Sequence, residues 1–162
     1  MKNEHLTPRE TPIQAGETAP DFTLLDQHRN EFTLSEALKE GDVALSFFPM
    51  AFTEVCESEM NCVHKEWDSL TRSGTRFVGV SCDSFAALKA WSDQAGYRQP
   101  LLADMHRAVC KAYGLYWADL NLASRGTVIV AGGDSADAGK VKWAQAREVM
   151  QAFDLGEVQG AL

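Results

Sequence analysis

The apolar run Val43-Ala44-Leu45-Ser46-Phe47-Phe48, closed by Pro49, most constrains what this chain can fold into. It is short, rich in β-forming residues and ended by a proline, so it reads as a buried strand. Beyond Thr53 the periodicity changes. Cys56, Met60, Val63, Trp67 and Leu70 follow at spacings of four, three, four and three, which is one face of a helix. Thr53 is placed to cap that helix, its hydroxyl accepting an orphan N–H of the first turn. The pattern therefore predicts the Cys56 sulfur in a first helical turn at the carboxyl end of a strand. Free N–H groups and the helix dipole favour an anion there, so a thiolate is favoured over a thiol.

Length and charge narrow the classes. The chain has 162 residues and is 45% hydrophobic, enough for one domain with a core. Its net charge is −8, without a cluster of lysines or arginines, which argues against nucleic acid and anionic membranes as partners. No apolar run approaches the length needed to span a bilayer. The stretch Met1 to Glu10 is polar and lacks the apolar region of a secretory signal, so a cytoplasmic location is expected, where thiols stay reduced. Four cysteines, at 56, 62, 82 and 110, form neither a C-x-x-C pair nor a zinc pattern. Cys62-x-His64 is the nearest approach to a ligand pair. The cysteines are expected to be catalytic or buried, with no metal, cofactor or structural disulfide.

Residues 1–14, with Pro8 and Pro12, read as a flexible arm, and residues 15–162 as the domain. Ala19 to Leu24 is a proline-started strand. Thr33 and Glu36 have capping-box spacing, which predicts a short helix over 35–39 that stops before Gly41. Gly74 is expected to end the Cys56 helix. Arg76 to Ser81 is the next buried strand, and Asp83 or Ser84 caps a helix bearing Phe85, Leu88, Trp91 and Ala95, stopped by Gly96. Pro100 to Asp104 reads as an edge segment and 105–113 as a helix. Gly126 to Val130 is a core strand, Gly132-Gly133-Asp134 a hairpin turn and Lys140 to Trp143 the returning strand. A last helix is expected over 147–155. Strands alternating with helices predict parallel βαβ units in an α/β domain.

Pro49-x-x-x-Thr53-x-x-Cys56 resembles the active-site signature of the peroxiredoxins, thiol peroxidases on a thioredoxin-like fold. Ser46-Phe47-Phe48 before it and Cys56-x-x-Glu59 after it resemble the signature's flanks. Ala19-Pro20-Asp21-Phe22, Ala112-Tyr113-Gly114-Leu115, Trp91 and Arg125-Gly126-Thr127 extend the likeness over roughly residues 15 to 155. The wording around Cys56 and the compact C-terminus are most similar to the one-cysteine bacterial group of the family, like alkyl hydroperoxide reductase E. The resemblance implies a thioredoxin-like fold, a central mixed sheet flanked by helices. It also implies reduction of hydrogen peroxide and organic hydroperoxides through a sulfenic acid.

A weak peroxide bond yields to a thiolate, so such a site must hold the sulfur as an anion, align the two oxygens and stabilise charge on the leaving oxygen. The resemblance implies Cys56 as nucleophile, with Arg125 bonding sulfur and peroxide. It gives Thr53 a hydroxyl bond to the peroxide and Pro49 the shielding of the sulfur from water. Glu59 would orient an arginine, or be a solvated first-turn carboxylate. Each of these residues has an ordinary role when alone: core thiol, surface cation, helix cap, strand terminator. Their conjunction around one cysteine carries the reading. Glu54, Glu57 and Glu59 oppose a thiolate by like charge, so the helix terminus and Arg125 must outweigh them.

The second half of the cycle stays open at this level. Cys62 lies on another helix face, Cys82 ends an adjacent strand, and Cys110 sits on a later helix. The two-cysteine subgroup puts its resolving thiol five residues after the nucleophile, which here is Asn61. A one-cysteine cycle would need an external thiol, either a thioredoxin-like protein or a low-molecular-weight thiol. Tyr113, Tyr116 and Trp117 are either core or a homodimer surface beside the site. The alternative to turnover is a redox-sensing module that uses Cys56 as a switch.

Overall fold

The computed structural model describes residues 2–152 and 154–162. Met1 and Phe153, which fall in the expected arm and the expected last helix, lie outside the described residues. In chain order the elements begin with β1 (Thr23–Asp26), β2 (Glu31–Thr33), α1 (Leu34–Ala37) and β3 (Val43–Phe47). Then come α2 (Glu54–Lys65), α3 (Trp67–Arg72), β4 (Arg76–Ser81), α4 (Phe85–Ala95), β5 (Leu101–Ala103) and α5 (Ala108–Ala112). The chain closes with β6 (Tyr116–Trp117), β7 (Leu122–Ala123), β8 (Arg125–Val130), β9 (Val141–Arg147) and α6 (Leu155–Gly160).

Seven strands form one sheet in the order β2-β1-β5-β4-β3-β8-β9, and β6 pairs with β7 separately. The pairs β3–β4 and β4–β5 are parallel, joined by helical crossovers, and the rest are antiparallel. The mixed sheet and the parallel βαβ units are those expected. Every residue of β3 is buried, as a strand covered on both faces requires. Alternate side chains enter different cores. Val43, Leu45 and Phe47 join the core beneath α1 and α5, with Leu34, Val109 and Tyr113. Ala44 joins Val63 and Leu70 of α2 and α3 on the other side. Phe48, Met60, Leu88 and Trp91 make a third cluster between α2 and α4.

Several local expectations give way to tertiary context. β5 lies inside the sheet between β1 and β4 rather than at an edge. The expected long Cys56 helix breaks at Glu66 (φ −95°, ψ 12°), which divides it into α2 and α3. Thr33 makes no side-chain cap, because its hydroxyl pairs with that of Thr23 at 2.8 Å. The helix expected over 105–113 shortens to α5, since Arg107 takes φ 58° and the buried Asp104 carboxylate receives the N–H groups of Val109 and Cys110. Ser84, not Asp83, caps α4 by accepting from the Ala87 N–H, and Gly96 ends it at φ 73°.

The largest departure is at the C-terminus. β9 runs on to Arg147, and the last helix begins only at Leu155. The β8 ladder offers partners the whole way, from Val130 opposite Val141 to Arg125 opposite Arg147. Those bonds hold Arg147 in the strand, at the position where the helix expected over 147–155 would have begun. The β8–β9 connection packs on Gly41. Gly132 donates its N–H to Asp42 Oδ1, and a Cβ there would sit 2.0 Å from the Gly41 carbonyl oxygen, so only glycine fits.

The segment expected to be a flexible arm is laid along the domain. Asn3 exchanges bonds with the Thr23 backbone, Arg9 N–H donates to the Lys111 carbonyl, and Ile13 N–H donates to the Tyr113 carbonyl. The Ile13 side chain is buried in the main core. Among the described residues no helix is long and apolar enough to cross a membrane.

Candidate active site

β3 and β4 end side by side, and the chain leaving β3 is held by residues at the end of β4 and just beyond it. Phe48 N–H donates to the Val80 carbonyl at 3.0 Å, and Ala51 N–H donates to Asp83 Oδ2 at 2.9 Å. The same carboxylate oxygen takes the Ser81 hydroxyl at 2.8 Å. Phe52 sits at φ 63°, a conformation costly for a residue with a Cβ, and its half-exposed ring lies 6.1 Å from that of Trp91. The turn so built delivers Thr53 as the extended N-cap of α2 and Cys56 in its first turn, 1% exposed.

Thr53 does not cap the helix with its side chain. The hydroxyl donates to the Met50 carbonyl at 2.7 Å. Its proton is thus committed, and the oxygen retains lone pairs as an acceptor.

Arg125 opens β8 with its head group buried. Nη2 donates to Cys56 Sγ at 3.2 Å and Nε to the Val149 carbonyl at 2.8 Å, while Nη1 pairs with Glu59 Oε2. Each nitrogen has a task, so the guanidinium is fixed in plane and angle. Glu59, three residues beyond Cys56, is 1% exposed rather than solvated. Its second oxygen receives Arg147 Nη2 at 3.1 Å, and the same nitrogen bonds Thr127 Oγ1 at 3.1 Å. Burial pushes Arg147 below the usual guanidinium value, and Glu59 acts in the opposite sense.

Arg147 had no motif to mark it, because 147–155 reads locally as a helix. It stands directly across the ladder from Arg125, so extending the hairpin register is the signal that finds it. Two buried guanidiniums share one buried carboxylate, leaving one positive charge in the group that touches the Cys56 sulfur. Glu59, which in sequence counts against a thiolate, is spent on the two arginines. Glu54 and Glu57 are exposed, where water and salt screen them.

Pro49, Thr53, Cys56 and Arg125 line one pocket of about 280 Å³. Glu54 also lines it, and its remaining walls are apolar: Met50, Val55, Trp117, Leu120, Leu122, Val149 and Met150. The last two come after β9, and Leu120 lies in the β6–β7 hairpin, so no motif near Cys56 announced them. Of the expected aromatic group only Trp117 lines the pocket. Tyr113 is buried, its hydroxyl donating to the Pro20 carbonyl at 2.9 Å. Cys62 is exposed, and Cys82 and Cys110 are buried in the core across the sheet from α2.

A cysteine sulfur gripped by a guanidinium at a helix start, on a mixed sheet wrapped by helices, defines a thiol-based redox enzyme of thioredoxin-like architecture. Known proteins narrow the class. Residues 15–143 match the AhpC/TSA family, and the chain belongs to this family of peroxiredoxins. It is 35% identical to alkyl hydroperoxide reductase E of Mycobacterium tuberculosis over 120 residues, covering 73% of this chain and 78% of that protein. It is 31% identical to a thioredoxin peroxidase of Echinococcus granulosus over 125 residues, covering 71% of this chain and 64% of that one. The crystal structure of peroxidoxin BcpB from Mycobacterium tuberculosis superposes with a TM-score of 0.80 at 23% identity, covering 92% of this chain and 96% of that one.

Proposed function

We propose that this thiol peroxidase reduces hydroperoxides at Cys56 in a one-cysteine cycle completed by an external thiol. The observation that carries it is the 3.2 Å contact from Arg125 Nη2 to Cys56 Sγ inside a pocket of substrate size. A lone pair on the Cys56 thiolate attacks the terminal oxygen of ROOH, the O–O bond breaks, and the sulfur becomes a sulfenic acid. The leaving RO⁻ takes a proton and departs as an alcohol, or as water when the substrate is hydrogen peroxide. Arg125 bridges sulfur and oxygen and stabilises the charge moving to the leaving group. Thr53 Oγ1 accepts the peroxide O–H. Pro49 offers no N–H and walls the sulfur from water.

An external reductant is favoured by where the other thiols sit. Cys62 is exposed on α2, and to bring it to Cys56 the helix would have to unwind through Glu59 and Met60, both buried and anchored. Cys82 and Cys110 contact each other at 3.8 Å. An incoming thiol, from a thioredoxin-like protein or a low-molecular-weight thiol, condenses with the sulfenic acid to a mixed disulfide and water. A second thiol releases Cys56. The half-buried Tyr116 and Trp117, continuous with the exposed Leu120, are our candidate homodimer surface, and the cytoplasm remains the proposed location.

The test is peroxide consumption with a dithiol reductant. Wild type should turn over and Cys56→Ser should not, while Cys62→Ser, Cys82→Ser and Cys110→Ser keep their rates. Equal consumption by Cys56→Ser ends the proposal, and loss of recycling in another single variant identifies a resolving thiol instead. Light scattering of the reduced protein checks the dimer.

A further inference from the structure

We propose that Cys82, Asp104 and Cys110 form a binding site for a soft divalent cation of the zinc type, separate from the peroxidase pocket. The three residues come from the bend just after β4, the segment just after β5, and α5. Asp104 N–H donates to the Ser81 carbonyl at 2.8 Å, which locks two of these segments together. Every ligand atom of the three lies within 4.8 Å of the others. The residues are 7%, 1% and 0% exposed respectively.

The spacing of the two sulfurs suits a metal. Two thiolates on a tetrahedral zinc, each about 2.3 Å from it, stand about 3.8 Å apart. The two sulfurs here are 3.8 Å apart, whereas a disulfide would require them to close to about 2.05 Å. The carboxylate is oriented as metal ligands usually are. Oδ1 accepts from the Val109 N–H at 3.2 Å and Oδ2 from the Cys110 N–H at 2.8 Å, and each oxygen keeps a lone pair. Among the described residues Asp104 forms no ion pair, and a buried carboxylate beside two thiols is a place where a cation is favoured.

Entry is also provided. Asp104 and Ala108 form part of the wall of a cleft of about 480 Å³ on the side of the domain where Lys2 and Leu6 lie. A water from that cleft completes four-coordination. On binding, the ion displaces the two thiol protons into solvent and forms two metal–sulfur bonds and one metal–oxygen bond, with no change of oxidation state. The spacing of Cys82 and Cys110 matches no sequence pattern for zinc, because β4, β5 and α5 meet only in the fold.

The experiment titrates Zn²⁺, and separately Co²⁺, into reduced protein carrying Cys56→Ser and Cys62→Ser, which leaves only the two thiols of interest. One zinc per chain, a sulfur-to-cobalt charge-transfer absorption and a zinc-dependent rise in Tm are expected. Asp104→Asn should weaken binding about 10-fold or more. Adding Cys82→Ser and Cys110→Ser should abolish both uptake and the cobalt signal, with far-ultraviolet circular dichroism confirming that each variant is folded. Absence of uptake overturns the site, as does uptake that survives loss of both thiols. A Cys82–Cys110 disulfide formed by peroxide in protein whose reduced form takes up no zinc also overturns it.

Discussion

Replacing Glu59 by glutamine tests the charge balance around Cys56. The variant keeps the shape and one acceptor but removes the negative charge that pairs with both Arg125 and Arg147, whose side chains are each about 2% exposed. Removing one partner of a buried ion pair costs about 3–5 kcal/mol, because the remaining charge is left buried and uncompensated. For a domain of this size each kcal/mol lowers Tm by about 2–4 °C, so a fall of about 6–20 °C is expected. Arg125 would keep its Nε bond to the Val149 carbonyl but lose the anchor at Nη1, so its aim at the sulfur loosens. The peroxide rate should fall by about 10-fold, as a misplaced catalytic group loses alignment. Adding Arg147→Met removes the surplus cation and should recover part of the lost stability, giving a non-additive double-mutant cycle. Thermal melts and peroxide kinetics on the four proteins decide it. A Tm change under about 2 °C, with an unchanged rate, would refute the claim that Glu59 holds two buried arginines together.

The same geometry sets other outcomes. Arg125→Lys keeps the charge but loses the planar fork, and the second-order rate with peroxide should drop about 100-fold or more by stopped-flow. Leu120→Ser with Met150→Ser makes the pocket rim polar and should slow reduction of apolar organic hydroperoxides while leaving hydrogen peroxide almost unaffected, read as a ratio of rates. Gly114→Ala places a Cβ 2.1 Å from the Thr11 carbonyl oxygen at φ 68°, so it should destabilise by about 1–3 kcal/mol and expose residues 2–13 to limited proteolysis. Burial and the negative charge of Glu57 push Tyr97 up to about 12 from its usual 10.0. A raised value means that the folded state holds its proton longer than the unfolded chain. Stability should then fall as pH rises from 10 through 12, and Tyr97→Phe should flatten that decline in denaturant melts.

Much of the fold is legible in the sequence because its signals are local. Val43 to Phe48 is apolar enough to be a strand in any context, and Gly96 can end α4 at positive φ wherever the sheet lies. Pro49, Thr53 and Cys56 are bound to one another by a few residues of chain, so their association survives any tertiary arrangement. The cysteine's place in a first helical turn, and with it the class of chemistry, is therefore a property of the primary sequence.

What the sequence leaves open is set by elements that meet only in the folded sheet. Residues 147–155 have a helical look of their own, but β8 presents a ladder that holds Arg147 extended, opposite Arg125. That register puts two guanidiniums on Glu59. Cys82, Asp104 and Cys110 likewise meet only because the chain leaving β4 and β5 meets α5 in the fold. Hydrophobic periodicity reports which side of an element is buried, not which other element buries it. The proposed nucleophile could thus be read from one short stretch, while the guanidinium that meets its sulfur is placed by strand pairing across the molecule.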